Sequence, residues 1–310
     1  MIEIFYKTIP FFALIGLGYS AAITRFFSAE ATAYLTKFVF YFALSAMLFR
    51  FSSDLSLSEL YDPEFIFAYL SASLVIYLLA TAVAIFRKKS PSEAAVEAQC
   101  SVIGNVGFLG IPMLAILMGP EAVGIIMIIL AIDLTVFGSL IVLIIVASKD
   151  KKLDIFIFYR VLIGLTKNPM IVSIICGLLW SASGWPLPGP INDFVIMLGS
   201  AATPGALFAI GASLAQKTTE RLEVAAWLSF CKLVLHPLAV CIAVFYIFKV
   251  EMYAATVMIA AASLPVAGNI FMVAHHYNVA PKRASAAIFL STVFSILTVS
   301  FTIAWLISLN

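Results

Sequence analysis

Three ionisable side chains stand in stretches of the chain that are otherwise apolar, and they are the first candidates for chemistry. Asp133 lies about midway along one stretch, while Lys232 and His236 lie one helical turn apart in another. An ionisable group deep in a bilayer costs at least about 2.5–3.5 kcal/mol, so such groups usually face a protein interior or a cavity. One interpretation is a fixed Asp133–Lys232 pair. In the other, Asp133 takes up a proton, His236 is a second protonation site, and Lys232 attracts an anion or substitutes for a coupling cation.

A second set of candidate residues coincides with helix-breaking sequences. One reads Gly-Asn-Val-Gly-Phe-Leu-Gly-Ile-Pro from Gly104 to Pro112, and the other reads Ser-Leu-Pro-Val-Ala-Gly-Asn from Ser263 to Asn269. A proline removes a backbone donor and clashes with the preceding turn, so we expect a helix to break at each place. The N-terminal end of each resulting half-helix carries partial positive charge, which favours a bound anion.

These breaks predict a substrate site near the middle of a membrane. Irregular backbone persists at membrane depth only where protein or a water-filled cavity surrounds it, and asparagine amides add donors and acceptors. The predicted crossover residues are Gly110, Pro112 and Pro265, and the predicted substrate-binding residues are Asn105, Gly107, Ser263 and Asn269. The alternative is a pair of kinked helices whose glycines serve only close packing.

The elements that must position these residues are membrane-spanning helices. Of the 310 residues, 63% are hydrophobic and only 11% are charged, whereas a soluble domain has roughly 25% charged residues. A soluble protein of this composition would expose large apolar patches. The composition therefore argues against a soluble enzyme and a disordered chain, and the net charge of +2 gives no reason to expect nucleic acid as a partner.

Ten apolar stretches have roughly the 20 residues that a membrane-crossing helix needs. The loops between them are too short to hold a soluble domain. The sequence therefore predicts an all-α polytopic membrane protein with ten transmembrane helices, at approximately 5–24, 32–51, 64–86, 94–118, 122–147, 169–185, 191–215, 224–247, 252–275 and 284–308.

The basic residues of the loops predict the orientation, because cytoplasmic loops are enriched in Lys and Arg. Most of these basic residues follow the odd-numbered stretches. The loops on the other side of the membrane carry only Lys7, Arg50 and Lys249. This asymmetry predicts that both termini lie on the non-cytoplasmic side of a cell (inner) membrane. Glu97, near the start of the fourth stretch, is expected to reach the interface with its carboxylate.

The two halves of the chain resemble each other at an offset of 159 residues. Pro10 then falls on Pro169 and Gly18 on Gly177, and the stretch from Ala43 to Phe49 falls on the one from Ala202 to Phe208. A unit of five spans used twice must be inverted the second time, and inverted repeats are typical of secondary transporters. We predict repeats at 1–148 and 169–310, joined by an amphipathic cytoplasmic linker at 149–168.

The motifs also resemble those of the auxin efflux carrier family, which includes plant PIN-FORMED carriers and bacterial malonate-type transporters. The resemblance covers the whole chain. The stretch from Asn105 to Pro112 resembles the family's Asn-…-Gly-Ile-Pro motif. Three further stretches are similar to its seventh, eighth and ninth helices, in this order: Ala206–Ala215, Lys232–Pro237 and Leu264–Tyr277. It implies a bile-acid-symporter-like fold in which helices 4 and 9 cross at their prolines. It also implies a homodimer and an elevator-like motion of helices 3–5 and 8–10 against 1, 2, 6 and 7. Members often have proline where this chain has Ser45, whereas Pro204 is kept at the equivalent position of the second half.

The function expected from these features is secondary active transport of small organic anions by alternating access. The resemblance implies carboxylates such as malonate, malate or auxin-like acids, with a proton as one candidate coupling ion. A sodium-coupled symporter of the bile-acid type is the alternative. No enzyme motif is present, and the four cysteines lack metal-ligand spacing, so we expect no catalysis, cofactor or bound metal.

Overall fold

The computed structural model describes residues 2–54, 62–149, 166, 168–215 and 222–308. Within these residues the chain is all-helical, and six of its helices are long and apolar enough to cross a membrane. Four further apolar helices are shorter. Each of these ten helices overlaps one of the stretches that the sequence predicts, and the four shorter ones cover only part of theirs. The predicted linker falls almost entirely outside the described residues, as do several loop cations, including Lys151, Lys152, Arg160, Lys167, Lys217 and Arg221.

We number the helices so that the two halves of each interrupted helix share a number. The first five are α1 (Ile2–Ile23), α2 (Ala29–Ser53), α3 (Pro63–Phe86), α4a and α4b (Pro91–Val102 and Val106–Met118), and α5 (Ala122–Ser148). The others are α6 (Pro169–Ala182), α7 (Gly189–Leu214), α8 (Leu222–Ile247), α9a and α9b (Met252–Ala262 and Asn269–His276), and α10 (Pro281–Ile307).

Several helices begin where the sequence supplies a cap. The Ser28 hydroxyl accepts a hydrogen bond from the backbone N–H of Ala31 at the start of α2. Ser90 and Glu93 form a reciprocal capping box at the start of α4a. Such side chains satisfy N–H groups that have no partner within the helix. Local sequence thus sets these boundaries without help from tertiary packing.

The helices pack in two groups. In the first, α1 lies along α7, while α6 lies along the second half of α2. In the second, α3, α5, α8 and α10 surround the interrupted helices α4 and α9. Packing between the groups is sparser and runs mainly through α1 against α10 and α7 against the first turn of α4b. The tightest packing is therefore within each group.

Glycines allow the close approaches inside the first group. A Cβ added to Gly18 of α1 would collide with the carbonyl oxygen of Phe208 in α7. A Cβ added to Gly177 of α6 would lie 2.7 Å from the carbonyl oxygen of Phe49 in α2. The offset of 159 residues relates Gly18 to Gly177 and Phe49 to Phe208. The two helix pairs thus use equivalent residues for equivalent contacts.

The interrupted helices lie at the centre of the second group. Residues Ala94–Val102 of α4a and Ala255–Ala262 of α9a are buried without exception. Large apolar side chains such as Phe67, Leu78 and Phe86 of α3 are instead exposed on the outside of the group. This distribution is typical of a multi-pass membrane protein, in which lipid covers the outer apolar surface and the innermost helices contact only protein.

Candidate functional site

The two interrupted helices cross at their breaks and pair backbone to backbone. The N–H of Asn105 donates to the carbonyl of Pro265 at 2.8 Å, and the N–H of Ala267 donates to the carbonyl of Ile103 at 3.0 Å. Gly104 and Val266 thereby form an isolated antiparallel bridge. The pairing satisfies backbone groups that the breaks release, which buried irregular backbone requires.

The three residues predicted to form the crossover occupy different places around it, and they are Gly110, Pro112 and Pro265. Pro265 lies inside the α9 break and contributes the carbonyl that Asn105 binds. Pro112 lies in the first α-helical turn after the π-helical segment Val106–Gly110, where its missing N–H costs least. Gly110 lies against the α9 break, since a Cβ there would come within 2.7 Å of Leu264 Cδ1.

A small cavity of about 20 Å³ adjoins the crossing, which is room for about one water molecule. Three of the four predicted substrate-binding residues line it, namely Asn105, Gly107 and Asn269, and Asp133 of α5 lines it as well. Ser263 does not line it, and its buried hydroxyl donates a hydrogen bond to the carbonyl of Ala260 at the end of α9a. Met170 of α6 brings the first packing group to the cavity wall.

Two buried acceptor atoms among the cavity-lining residues have no hydrogen-bond partner in the described structure. They are Oδ2 of Asp133 and Oδ1 of Asn269. The other carboxylate oxygen of Asp133 accepts a hydrogen bond of 2.8 Å from the Tyr69 hydroxyl of α3. Most buried polar atoms in proteins have a partner, so unpartnered atoms beside a cavity indicate a place for water, a proton or a ligand.

Lys232 and His236 of α8 form a second polar cluster beside the crossing. The Lys232 ammonium donates to the carbonyl of Ala262 and lies 3.2 Å from Nδ1 of His236. Nε2 of the same imidazole is 2.9 Å from the hydroxyl of Ser73 in α3. Lys232, His236 and Ser73 are all fully buried. No salt bridge joins Lys232 to Asp133 among the described residues, and the two charges interact only at longer range.

Comparisons with known proteins identify the family of this chain. A sequence model of the family described as "Membrane transport protein" matches residues 3–303. A protein of Rhizobium meliloti (strain 1021) named "Putative malonate transporter" is 30% identical over 304 residues, which cover 97% of this chain and 95% of the relative. This chain belongs to the auxin-efflux-carrier-like membrane transport family. The resemblance recognised in its motifs is therefore confirmed, and the protein is a membrane transporter.

This transporter places both of its central charges on π-helical segments. Asp133 begins the segment Asp133–Phe137 of α5, and Lys232 lies in the segment Cys231–Leu235 of α8. A π-helical turn shifts the following side chains around the helix axis, and such turns occur frequently at functional sites. No sequence pattern predicts them. Tyr69 and Ser73 of α3 were also missed, because each is an ordinary residue in an apolar helix until the fold brings Asp133 and His236 to it.

Glu97 of this transporter does not reach water, contrary to the expectation from its position in the sequence. Its carboxylate is fully buried and binds two arginines, Arg87 before α4a and Arg283 at the start of α10. Arg283 also binds Glu93 at 3.1 Å. The arginines neutralise a buried carboxylate that would otherwise be very costly. The loops before α4 and α10 thus meet at one side of the protein.

Proposed function

We propose that this protein is a secondary active transporter of small carboxylate anions and that the substrate binds at the crossing of α4 and α9. The observation that carries the proposal is the paired break, which brings the N-terminal ends of α4b and α9b to one cavity with Asn105 and Asn269. Helix N-termini attract anions, and secondary transporters of inverted-repeat design bind substrates at such discontinuous helices. The name of the Rhizobium relative supports a dicarboxylate such as malonate.

We further propose that a proton accompanies the substrate. Asp133 lines the same cavity as the two asparagines, and an ionised carboxylate there would repel a carboxylate substrate. Substrate binding therefore favours the protonated form of Asp133. By reciprocity, protonation of Asp133 favours substrate binding by the same free energy. Coupling follows from the shared cavity and needs no additional site.

Two inverted repeats, 1–148 and 169–310, are the proposed architecture, with 149–168 as the connecting linker. The equivalent contacts of Gly18 with Phe208 and of Gly177 with Phe49 support it. The two packing groups suggest an elevator-like motion in which α3–α5 and α8–α10 move against α1, α2, α6 and α7. Sparse packing between the groups supports this division. The cavity of about 20 Å³ is too small for a dicarboxylate, so substrate entry requires a rearrangement, and we propose that the two groups shift relative to each other.

The proposed location is the inner membrane, with both termini on the non-cytoplasmic side. The bias of loop cations supports this orientation. The meeting of Arg87 and Arg283 at Glu97 supports it too, because both arginines come from loops assigned to the cytoplasmic side. The proposed homodimer rests on the family resemblance.

Sodium coupling is a second candidate, and one observation favours it. Oδ2 of Asp133 and Oδ1 of Asn269 are both unpartnered oxygens beside one cavity, and hard cations prefer oxygen ligands. Sodium would then bind between these oxygens instead of a proton binding to Asp133.

Uptake of labelled malonate into proteoliposomes distinguishes these proposals. For a substrate coupled to one proton, an inward gradient of one pH unit supports about tenfold accumulation in sodium-free choline medium. Asp133→Asn should abolish accumulation driven by the gradient and retain malonate exchange, because the amide resembles the protonated acid. Asp54→Asn, at an exposed site, is the matched control. Dependence on sodium would support the second candidate, and no saturable uptake of any mono- or dicarboxylate would overturn the transport proposal.

A further inference from the structure

The Lys232 ammonium is buried without a carboxylate. It is 0% exposed, and no ion pair joins it to any Asp or Glu of the described residues. Buried charges are normally paired with an opposite charge. Here the partners are instead a backbone carbonyl, that of Ala262, and the His236 imidazole. The charge is thus held by dipoles.

The position of the ammonium explains this choice of partners. Ala262 is the last residue of α9a, and the final carbonyls of a helix lack intrahelical partners and carry partial negative charge. On its other side the lysine abuts the α4 break, since a Cβ at Gly104 would lie 3.3 Å from Nζ. The ammonium therefore lies between the two breaks. Transporters with discontinuous helices hold coupling cations at such carbonyls and C-terminal half-helix ends.

We propose that Lys232 is a tethered cation that occupies the place a free coupling cation would take at the end of α9a. This inference rests on the proposed function, because it assigns the charge a role in substrate binding at the crossing. Gly104 lines the substrate cavity and contacts the lysine, so the charge lies directly behind the cavity wall. Since the cation is part of the chain, no ion needs to enter or leave this place during transport.

His236 holds the ammonium in position. The ammonium can only donate hydrogen bonds, so Nδ1 of His236 accepts, and Nε2 then carries the hydrogen and donates to Ser73. The imidazole is thereby fixed by α3 at one end and fixes Lys232 at the other. His236 is a positioning residue in this arrangement, and its neutral form is the one that fits.

A pair of variants separates the charge from the volume of the side chain. Lys232→Ala removes the ammonium and leaves a cavity beside the Ala262 carbonyl. Lys232→Met also removes the charge, but its side chain fills this cavity. Both should bind malonate at least about tenfold more weakly than wild type in choline medium, a loss of about 1.4 kcal/mol or more. Ethylammonium or sodium should restore binding about threefold or more in Lys232→Ala, in a saturable manner, and should not restore it in Lys232→Met.

Thermal unfolding without any carboxylate tests the cation site independently of transport. A ligand that binds only the folded protein raises its melting temperature, so ethylammonium should stabilise purified Lys232→Ala and leave wild type and Lys232→Met unchanged. If wild type does not bind carboxylates but this stabilisation is seen, the proposed function fails and the cation site stands. Equal cation effects on all three proteins, or no effect on Lys232→Ala, would overturn the inference. If Lys232→Ala does not fold, wild-type malonate affinity in folded Lys232→Met would overturn it alone.

Discussion

Asp133 and Asn269 each leave one oxygen unpartnered beside the crossing, whereas the side chains around Lys232 bind one another. An unsatisfied buried polar atom costs about 1–3 kcal/mol. Hydrogen bonds join Ser73, His236, Lys232 and the Ala262 carbonyl in one chain that holds a charge in place. The two unpartnered oxygens are the atoms that a substrate, a proton or water can bind. The contrast suggests that the Lys232 cluster is preorganised and the cavity oxygens are left open for the ligand.

The hydrogen bond between Ser73 and His236 gives the first prediction. Ser73→Ala should lower the free energy of unfolding by about 1–3 kcal/mol, because Nε2 of the buried imidazole loses its partner. Malonate affinity should fall as well, since Lys232 loses its positioning. Thr81→Ala in the same helix is the control, because the Thr81 hydroxyl bonds only the Tyr77 carbonyl one turn earlier. Thermal melts and malonate titrations measure both effects, and equal behaviour of the two variants would contradict the prediction.

Buried and exposed ion pairs should differ sharply in their contribution to stability. Glu97→Gln should destabilise the protein by about 3 kcal/mol or more, because Arg87 and the buried Arg283 lose a shared carboxylate. Asp54→Asn breaks an exposed i, i+4 pair with Arg50 and should change stability by less than about 1 kcal/mol. Urea or thermal unfolding in detergent compares them. If Glu97→Gln is as stable as Asp54→Asn, the prediction is wrong, and water replaces the carboxylate as the partner of the two arginines.

At the level of single elements, interruptions of the helices bring the polar groups of the crossing together. The breaks of α4 and α9 expose backbone groups to each other, and π-helical segments of α5 and α8 contain the buried residues Asp133 and Lys232. The uninterrupted helix α3 connects these elements, since Tyr69 binds Asp133 and Ser73 binds His236 one turn later. A regular helix thus aligns two irregular ones.

Close packing of α1 on α7 gives a prediction for an entire helix. Gly18→Ala should destabilise the protein by about 1–3 kcal/mol, because the added methyl group collides with the Phe208 backbone, which cannot rotate away. Gly16→Ala, two residues earlier on α1, has nothing within 4 Å of the added Cβ and should be neutral or stabilising by up to about 1 kcal/mol. Melting temperatures of the two variants decide, and a neutral Gly18→Ala would mean that α1 can shift.

For the whole molecule, the important boundary is the one between the two packing groups. Beside the cavity this boundary runs between Gly107 of α4b and Met170 of α6. A Cβ added to Gly107 would lie 3.1 Å from Met170 Cε. If the groups move against each other during transport, this contact must open. If transport occurs by rearrangement within the second group, it can stay closed.

Cross-linking this boundary tests the motion. With the four native cysteines replaced, Gly107→Cys combined with Met170→Cys should lose malonate uptake on treatment with a short bis-methanethiosulfonate. Dithiothreitol should restore uptake, because the tether alone prevents the groups from separating. Each single-cysteine variant under the same treatment is the control for modification beside the cavity. Full uptake by a completely cross-linked double variant would exclude relative movement at this place.

The sequence determined the class of the molecule and the places where its helices break. Apolar runs of about 20 residues indicate membrane-spanning helices, which satisfy their backbone groups within the segment, and Gly104 and Pro265 mark the interruptions locally. Only the tertiary structure decided which polar atoms meet. The pairing of Gly104 with Val266, the hydrogen bond of Tyr69 to Asp133 and the burial of Glu97 between two arginines all join residues far apart in the chain. Such contacts depend on how the helices pack and on where π-helical turns occur, and local sequence patterns predict neither of them.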